Sequence, residues 1–214
     1  MHYVETSREA LADVLVSVGP DADTLCEGWK SRHLSAHLLI RENSALSAGI
    51  FLPLLRGPME NRLEQLADAA QDLSVYLELV DRFRAGPIKF SPFRIRQVNR
   101  TANLLEYFVH TEDVRRARSR WAPRHLDEDY VEALWSDLTH RAKFMYAKSP
   151  VGVILVRRDG TRFVAKRAAN SVAVIGHVGE LVMHSHGRQS HALVTLEGSP
   201  ESIKILTGLA NPLD

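Results

Sequence analysis

Asn103-Leu104-Leu105-Glu106-Tyr107-Phe108-Val109-His110-Thr111-Glu112-Asp113 combines a polar line with apolar flanks. Asn103, Glu106, His110 and Asp113 recur at steps of three, four and three, which places all four along one face of a helix. Leu104, Leu105, Tyr107, Phe108 and Val109 make most of the other faces apolar. Such a helix predicts packing inside a bundle, where its polar line either meets water or points at something within. Glu106 and His110 stand four residues apart, with Cβ atoms about 5–6 Å from one another. One metal ion can then take an imidazole nitrogen and a carboxylate oxygen at about 2.0–2.2 Å. The same spacing serves a plain solvated side-chain pair on many helices, so spacing alone leaves both readings open.

The helix is expected to run from about Gln97 to Arg118. Upstream, Thr6-Ser7-Arg8-Glu9 has capping-box form, and Leu11, Val14, Leu15 and Val18 follow at helical spacing before Gly19-Pro20. A second helix is expected from Ser31, carrying Leu34, His37, Leu38 and Ala45. Gly57-Pro58 punctuates the chain. Leu63, Leu66, Ala70, Leu73, Leu77 and Val80 then predict one long bundle helix, closed by Gly86-Pro87 and Ser91-Pro92. Four amphipathic helices with short connections predict an antiparallel four-helix bundle.

After Trp121-Ala122-Pro123 the pattern changes. Val131, Leu134, Leu138, Ala142 and Met145 predict a fifth helix. From Pro150 the period becomes strand-like: Val151 to Val156, Phe163 to Ala165, Ser171 to Ile175 and His191 to Leu196, with Asp159-Gly160 as a hairpin turn. A short helix is expected over Gly179 to Ser185, ended by Gly187. Ser199 with Pro200 predicts the start of a last helix. The fold class is therefore α+β: a helical domain over residues 1–121, then a smaller α+β domain over 122–214.

Bulk composition narrows the function classes. A length of 214 residues suits one large or two small domains, since domains cluster near roughly 100–150 residues. Lys+Arg 27 against Asp+Glu 26 leaves a net charge of +1, so no nucleic-acid or anionic-membrane partner is expected. No apolar run reaches the roughly 20 residues that span a bilayer. Met1-His2-Tyr3-Val4-Glu5 lacks the pattern of a secretory leader, and a single cysteine makes no internal disulfide; both lead us to expect a cytoplasmic protein. Cys26 itself reads as a small buried hydrophobe.

His37 follows Leu34 by three residues and precedes Leu38, on the side of its helix expected to be buried. A lone histidine there is commonly a hydrogen-bonded core residue. Bundle interiors also recruit ligands from facing helices, which makes His37 a candidate partner of Glu106 and His110. In the second domain His177, His184, His186 and His191 cluster in sequence. His184 and His186, two apart, diverge on a helix and read as surface or structural residues.

Two stretches carry a family resemblance. Leu25-Cys26-Glu27-Gly28-Trp29-Lys30-Ser31-Arg32-His33-Leu34-Ser35-Ala36-His37-Leu38 resembles the Trp-and-His signature of the mycothiol-dependent maleylpyruvate isomerase family, within the wider group of DinB-like metal-binding bundles. Glu106 to Val114 resembles its second signature. Gly179-Glu180-Leu181, Gly187-Arg188, His191 and Glu197-Gly198 resemble the family's second domain less specifically. His33 departs from the family, where an acidic residue is common, and the chain looks closer to a branch described only as metal-binding.

The resemblance implies a DinB-like N-terminal bundle holding a divalent metal, usually zinc (Zn2+), through His37, Glu106 and His110. Two imidazoles and one carboxylate leave a coordination position open, as catalytic zinc sites do. The resemblance implies that the thiol of mycothiol enters it and attacks an electrophilic substrate, giving an isomerase or S-transferase. Asp113 and Asn103 are candidates to orient a ligand from behind, and Arg188 is a candidate to bind a substrate or cofactor carboxylate. The competing expectations are a non-enzymatic metal-binding or sensing protein, and a hydrolase using bound water. Monomer and homodimer are both compatible with the sequence.

Overall fold

The computed structural model describes residues 3–44, 53–89, 91, 93 and 96–208. It divides into two compact units, Met1–Trp121 and Ala122–Asp214, and its class is α+β. No helix among the described residues is long and apolar enough to cross a membrane.

The first unit is helical: α1 (Tyr3–Val18), α2 (Ser31–Asn43), α3 (Pro53–Ala69), α4 (Leu73–Arg84) and α5 (Arg96–Arg116). Helix α1 begins ahead of Thr6-Ser7-Arg8-Glu9, which is thus not its cap. The Ser7 hydroxyl instead donates back to the Tyr3 carbonyl at 2.5 Å, the back-bond of a serine inside a helix. Two further expectations fail. Gly57-Pro58 lies within α3, where the proline forfeits one backbone bond and the helix continues. The long helix expected from Leu63 to Val80 is two helices, because Asp72 caps a new start by accepting from the Ser74 and Val75 amides. The burial frame shifts across that cap: Leu63, Ala67 and Ala70 are buried, Leu73 is exposed, and Tyr76, Leu79, Val80 and Phe83 are buried. Ala45 and Pro92 lie outside the described residues.

Helix α1 packs against α2, α4 and α5, and α2 also against α3 and α4. Leu11, Leu15, Leu34, Leu38, Phe83 and Tyr107 are fully buried or nearly so at this centre. One charged group sits among them. The Arg8 guanidinium lies between the Phe83 and Tyr107 rings, 5.1 and 5.0 Å from their centroids, pairs with Glu42, and donates to the Phe83 carbonyl at 3.0 Å. The Tyr107 hydroxyl donates to the same carboxylate.

The second unit holds α6 (Glu128–Met145), β1 (Gly152–Arg157), β2 (Arg162–Lys166), β3 (Ser171–Gly176), α7 (Val178–Ser185), β4 (Thr195–Glu197) and α8 (Pro200–Thr207). The sheet order is β2-β1-β3-β4. β1 pairs antiparallel with β2 across the Asp159-Gly160 turn, and parallel with β3. Gly152 is required where β1 meets β3, since a Cβ there would fall 2.1 Å from Ser171 Oγ. The strand expected over His191 to Leu196 is mostly absent. Gln189–His191 form a 3-10 turn, and the buried Glu180 carboxylate takes the Leu193 amide at 2.7 Å in place of a ladder bond, so only Thr195–Glu197 pair with β3. Ser199 caps α8 through the Ser202 amide, with Pro200 at its first turn.

His184 and His186 are both buried, which removes the surface alternative and leaves the structural one. His184 Nδ1 meets the Tyr146 hydroxyl at 2.8 Å, while its buried Nε2 has no hydrogen-bond partner among the described residues. Burial depresses its pKa from the usual 6.5 to about 4. Between those values the unfolded chain binds a proton that the folded chain refuses, so stability falls as pH drops through this window. The full effect is roughly 3 kcal/mol, from about 1.4 kcal/mol per unit. Urea unfolding at pH 7 and pH 4.5 should show a flatter pH dependence in His184→Gln than in the wild type. Equal slopes would contradict the buried, neutral histidine.

Candidate metal centre

Helix α2 brings His37 and Arg41 to one face on successive turns, and α5 does the same for Asn103, Glu106, His110 and Asp113. The two faces meet on Glu106. Its Oε1 lies 3.3 Å from His37 Nε2, 3.2 Å from His110 Nε2 and 3.2 Å from Arg41 Nε. The imidazoles of His37 and His110 are 5.5 Å apart and nearly perpendicular. Donor atoms of His37, Glu106 and His110 all fall within 4.8 Å of one another. Tetrahedral bonds of about 2.0–2.2 Å would space such atoms by about 3.2–3.6 Å, so the three residues fit a divalent ion with small adjustments. Side-chain exposures of 17% for His37, 26% for Glu106 and 10% for His110 leave the centre partly open to a further ligand.

The surrounding groups fix these three. Asp113, fully buried, sits 2.9 Å from His110 Nδ1. A carboxylate there holds a proton on Nδ1, so that a metal ion on the opposite side would displace only the Nε2 proton that now faces Glu106, the arrangement that orients metal-binding histidines. Asn103, also buried, accepts from the Arg41 guanidinium, which in turn holds Glu106 and lies 5.2 Å over the Phe93 ring. The Trp29 ring stands 5.2 Å from that of His37, restricting it from the loop side. Charges are arranged to match. Burial raises the Glu106 pKa, but the Arg41 charge and the hydrogen bonds to His110 and His37 outweigh it and hold the carboxyl well below its usual range. Burial lowers the pKa of His37 and keeps that ring neutral. Burial also opposes charge on His110, yet its bonds to Asp113, Cys26 and Glu106 prevail and raise it well above the usual value.

All of the sequence-predicted first-domain residues thus come together: His37, Glu106 and His110 at the centre, with Asp113 and Asn103 behind them. Arg188 does not join such a cluster among the described contacts; its guanidinium donates to the His186 carbonyl at 2.7 Å. His33 is occupied at the start of α2, where Nδ1 accepts from the Lys30 amide at 3.1 Å.

Two contributors escaped the sequence reading. Arg41 is four residues after His37, a spacing that already places it on the same face. Cys26 is half-buried rather than a core hydrophobe: its Sγ lies 3.3 Å from Asp113 Oδ2 and 3.9 Å from His110 Nδ1. Nothing local in sequence signals this, because Cys26 reaches α5 through the folded loop before α2.

No family model and no curated protein matches the chain. Two solved structures do resemble it: mycothiol-dependent maleylpyruvate isomerase, and a point mutant of that isomerase. Each aligns with a TM-score of 0.60 over 91% of this chain and 90% of the other, at 18% and 17% identity respectively. Identity this low speaks to architecture alone, and the chain shares the fold of mycothiol-dependent maleylpyruvate isomerase.

Proposed function

We propose that this chain is a divalent-metal protein, using zinc through His37, Glu106 and His110, that acts as a mycothiol-dependent S-transferase or isomerase. The observation that carries the reading is the convergence of two imidazoles and one carboxylate on a partly exposed point, in a fold shared with an isomerase that depends on mycothiol.

Three protein ligands leave a coordination position for a small molecule. A divalent ion held by His37, Glu106 and His110 would supply Lewis acidity, enough to favour the thiolate form of a thiol that entered the site. Loss of the thiol from the substrate carbon would give isomerisation, and its retention S-transfer. The chain's own residues set the stage. Asp113 keeps the His110 proton on Nδ1. Arg41 and Asn103 hold the Glu106 carboxylate ionised and in place. Trp29 limits rotation of His37.

Titrating zinc-loaded protein with mycothiol, by calorimetry in buffers of different ionisation enthalpy, tests the reading. Binding with release of the thiol proton is expected. Absence of binding by protein that keeps one zinc per chain would sink it.

A further inference from the structure

We propose that Cys26, His110 and Asp113 form a second cation position, on the other side of the His110 ring from Glu106, selective for thiophilic divalent ions such as cadmium. Nothing in this proposal depends on a thiol substrate.

The two nitrogens of His110 face different groups: Nε2 meets Glu106 at 3.2 Å, and Nδ1 meets Asp113 at 2.9 Å. Cys26 Sγ completes a triangle on the Nδ1 side, 3.9 Å from that nitrogen and 3.3 Å from Asp113 Oδ2. A zinc-sized ion, bound to sulfur at about 2.3 Å and to nitrogen or oxygen at about 2.0–2.2 Å, spaces its ligand atoms by about 3.2–3.7 Å, and the larger cadmium ion would spread them further. The observed edges lie within a few tenths of an ångström of that range.

The thiol is also held in place by the fold. The Leu25 amide donates to the Asp113 carbonyl at 3.1 Å, tying the loop to α5 immediately beside the site. The Trp29 amide donates to the Cys26 carbonyl at 3.0 Å, closing a turn in which Gly28 takes a φ of +74°, a conformation side chains resist. Thr24 Oγ1 accepts from the Cys26 amide at 3.2 Å and donates to the Trp29 carbonyl at 2.8 Å. Sγ is therefore presented to α5 by backbone bonds on both sides of it.

Donor chemistry separates the two positions. His37 and Glu106 offer nitrogen and oxygen, whereas Cys26 offers a soft thiolate that favours soft ions. Binding on this side releases the Cys26 thiol proton and the Nδ1 proton to solvent, and leaves the remaining ring proton on Nε2 toward Glu106. Neutral His110 has one lone pair to give. An ion at Cys26 and an ion at Glu106 consequently exclude one another.

Cadmium chloride titrated into metal-free, full-length Glu106→Gln protein provides the test, read by thiolate-to-cadmium charge-transfer absorbance in the near ultraviolet. Cys26 is the sole cysteine of the 214 residues, so any such band reports on it. One cadmium per chain is expected, with a band that Cys26→Ser removes and an affinity that Asp113→Asn weakens by about tenfold or more. His110→Gln, carried in parallel, should weaken it similarly should Asp113→Asn not fold. In wild-type protein loaded with one zinc, the band should grow as zinc leaves. A missing band in Glu106→Gln, an affinity unchanged by the Asp113 and His110 substitutions, or band growth with zinc fully retained would each overturn the proposal. Mycothiol is absent throughout, so failure here leaves the thiol-dependent reading standing, and failure of mycothiol binding leaves this one standing.

Discussion

His110→Ala protein is expected to bind no stoichiometric zinc, with an affinity loss well beyond the roughly 10–100-fold that removal of an outer hydrogen-bond partner costs. His110 is the residue on which the whole arrangement depends. Its Nε2 shares Glu106 with His37, and its Nδ1 is held by the buried Asp113. Deleting the ring leaves a carboxylate and one imidazole at the centre, too few for a stable catalytic-type site. It also takes from the buried Asp113 the imidazole it pairs with, so the fold of the variant should be checked by circular dichroism. Asp113→Asn is the milder companion: it keeps the ligands but weakens the hold on the tautomer, and should retain zinc more weakly. Metal analysis after dialysis reads both. Full zinc retention by His110→Ala would refute the assignment of this ligand.

The second large effect falls on stability. Arg8→Ala should destabilise the folded chain by about 3–5 kcal/mol, because it leaves the buried Glu42 carboxylate with the Tyr107 hydroxyl but without its paired guanidinium. Arg8 and Glu42 side chains are 6% and 0% exposed, far from the surface regime in which ion pairs are worth little. The same guanidinium fills the gap between Phe83 and Tyr107, so packing is lost along with charge. A double variant, Arg8→Met with Glu42→Leu, removes both charges at similar volume and should lie much closer to wild type. Urea denaturation of the three proteins decides the matter; a single-variant loss below about 1 kcal/mol would mean that the pair is solvated in practice.

The expected fold class and much of the element order were legible because periodicity is a direct image of burial. Leu134, Leu138, Ala142 and Met145 repeat at helical steps and are all buried on α6. Asp159-Gly160 marks the β1–β2 hairpin through a turn chemistry few other residues satisfy. Boundaries were harder wherever a side chain competed with the backbone. Asp72 interrupts an apolar stripe that reads as continuous, and Glu180 replaces a strand bond that the alternation around His191 promises. Pro58 misled in the opposite direction, since one missing amide did not end α3. At the candidate site, the steps between Asn103 and Asp113 put four polar groups on one face without saying what they face. His37 could be joined to them only through resemblance, because helix-to-helix contacts have no local signature. Cys26 was illegible for a related reason: its neighbours His110 and Asp113 are more than eighty positions away along the chain.

The most direct measurement is a zinc-edge anomalous difference map from crystals of the zinc-loaded protein. One peak is expected, about 2.0–2.2 Å from His37 Nε2, the Glu106 carboxylate and His110 Nε2, with Asp113 still on Nδ1. A peak bonded to Cys26 and Nδ1 instead, or no peak between ordered His37, Glu106 and His110 side chains, would contradict the three-ligand centre.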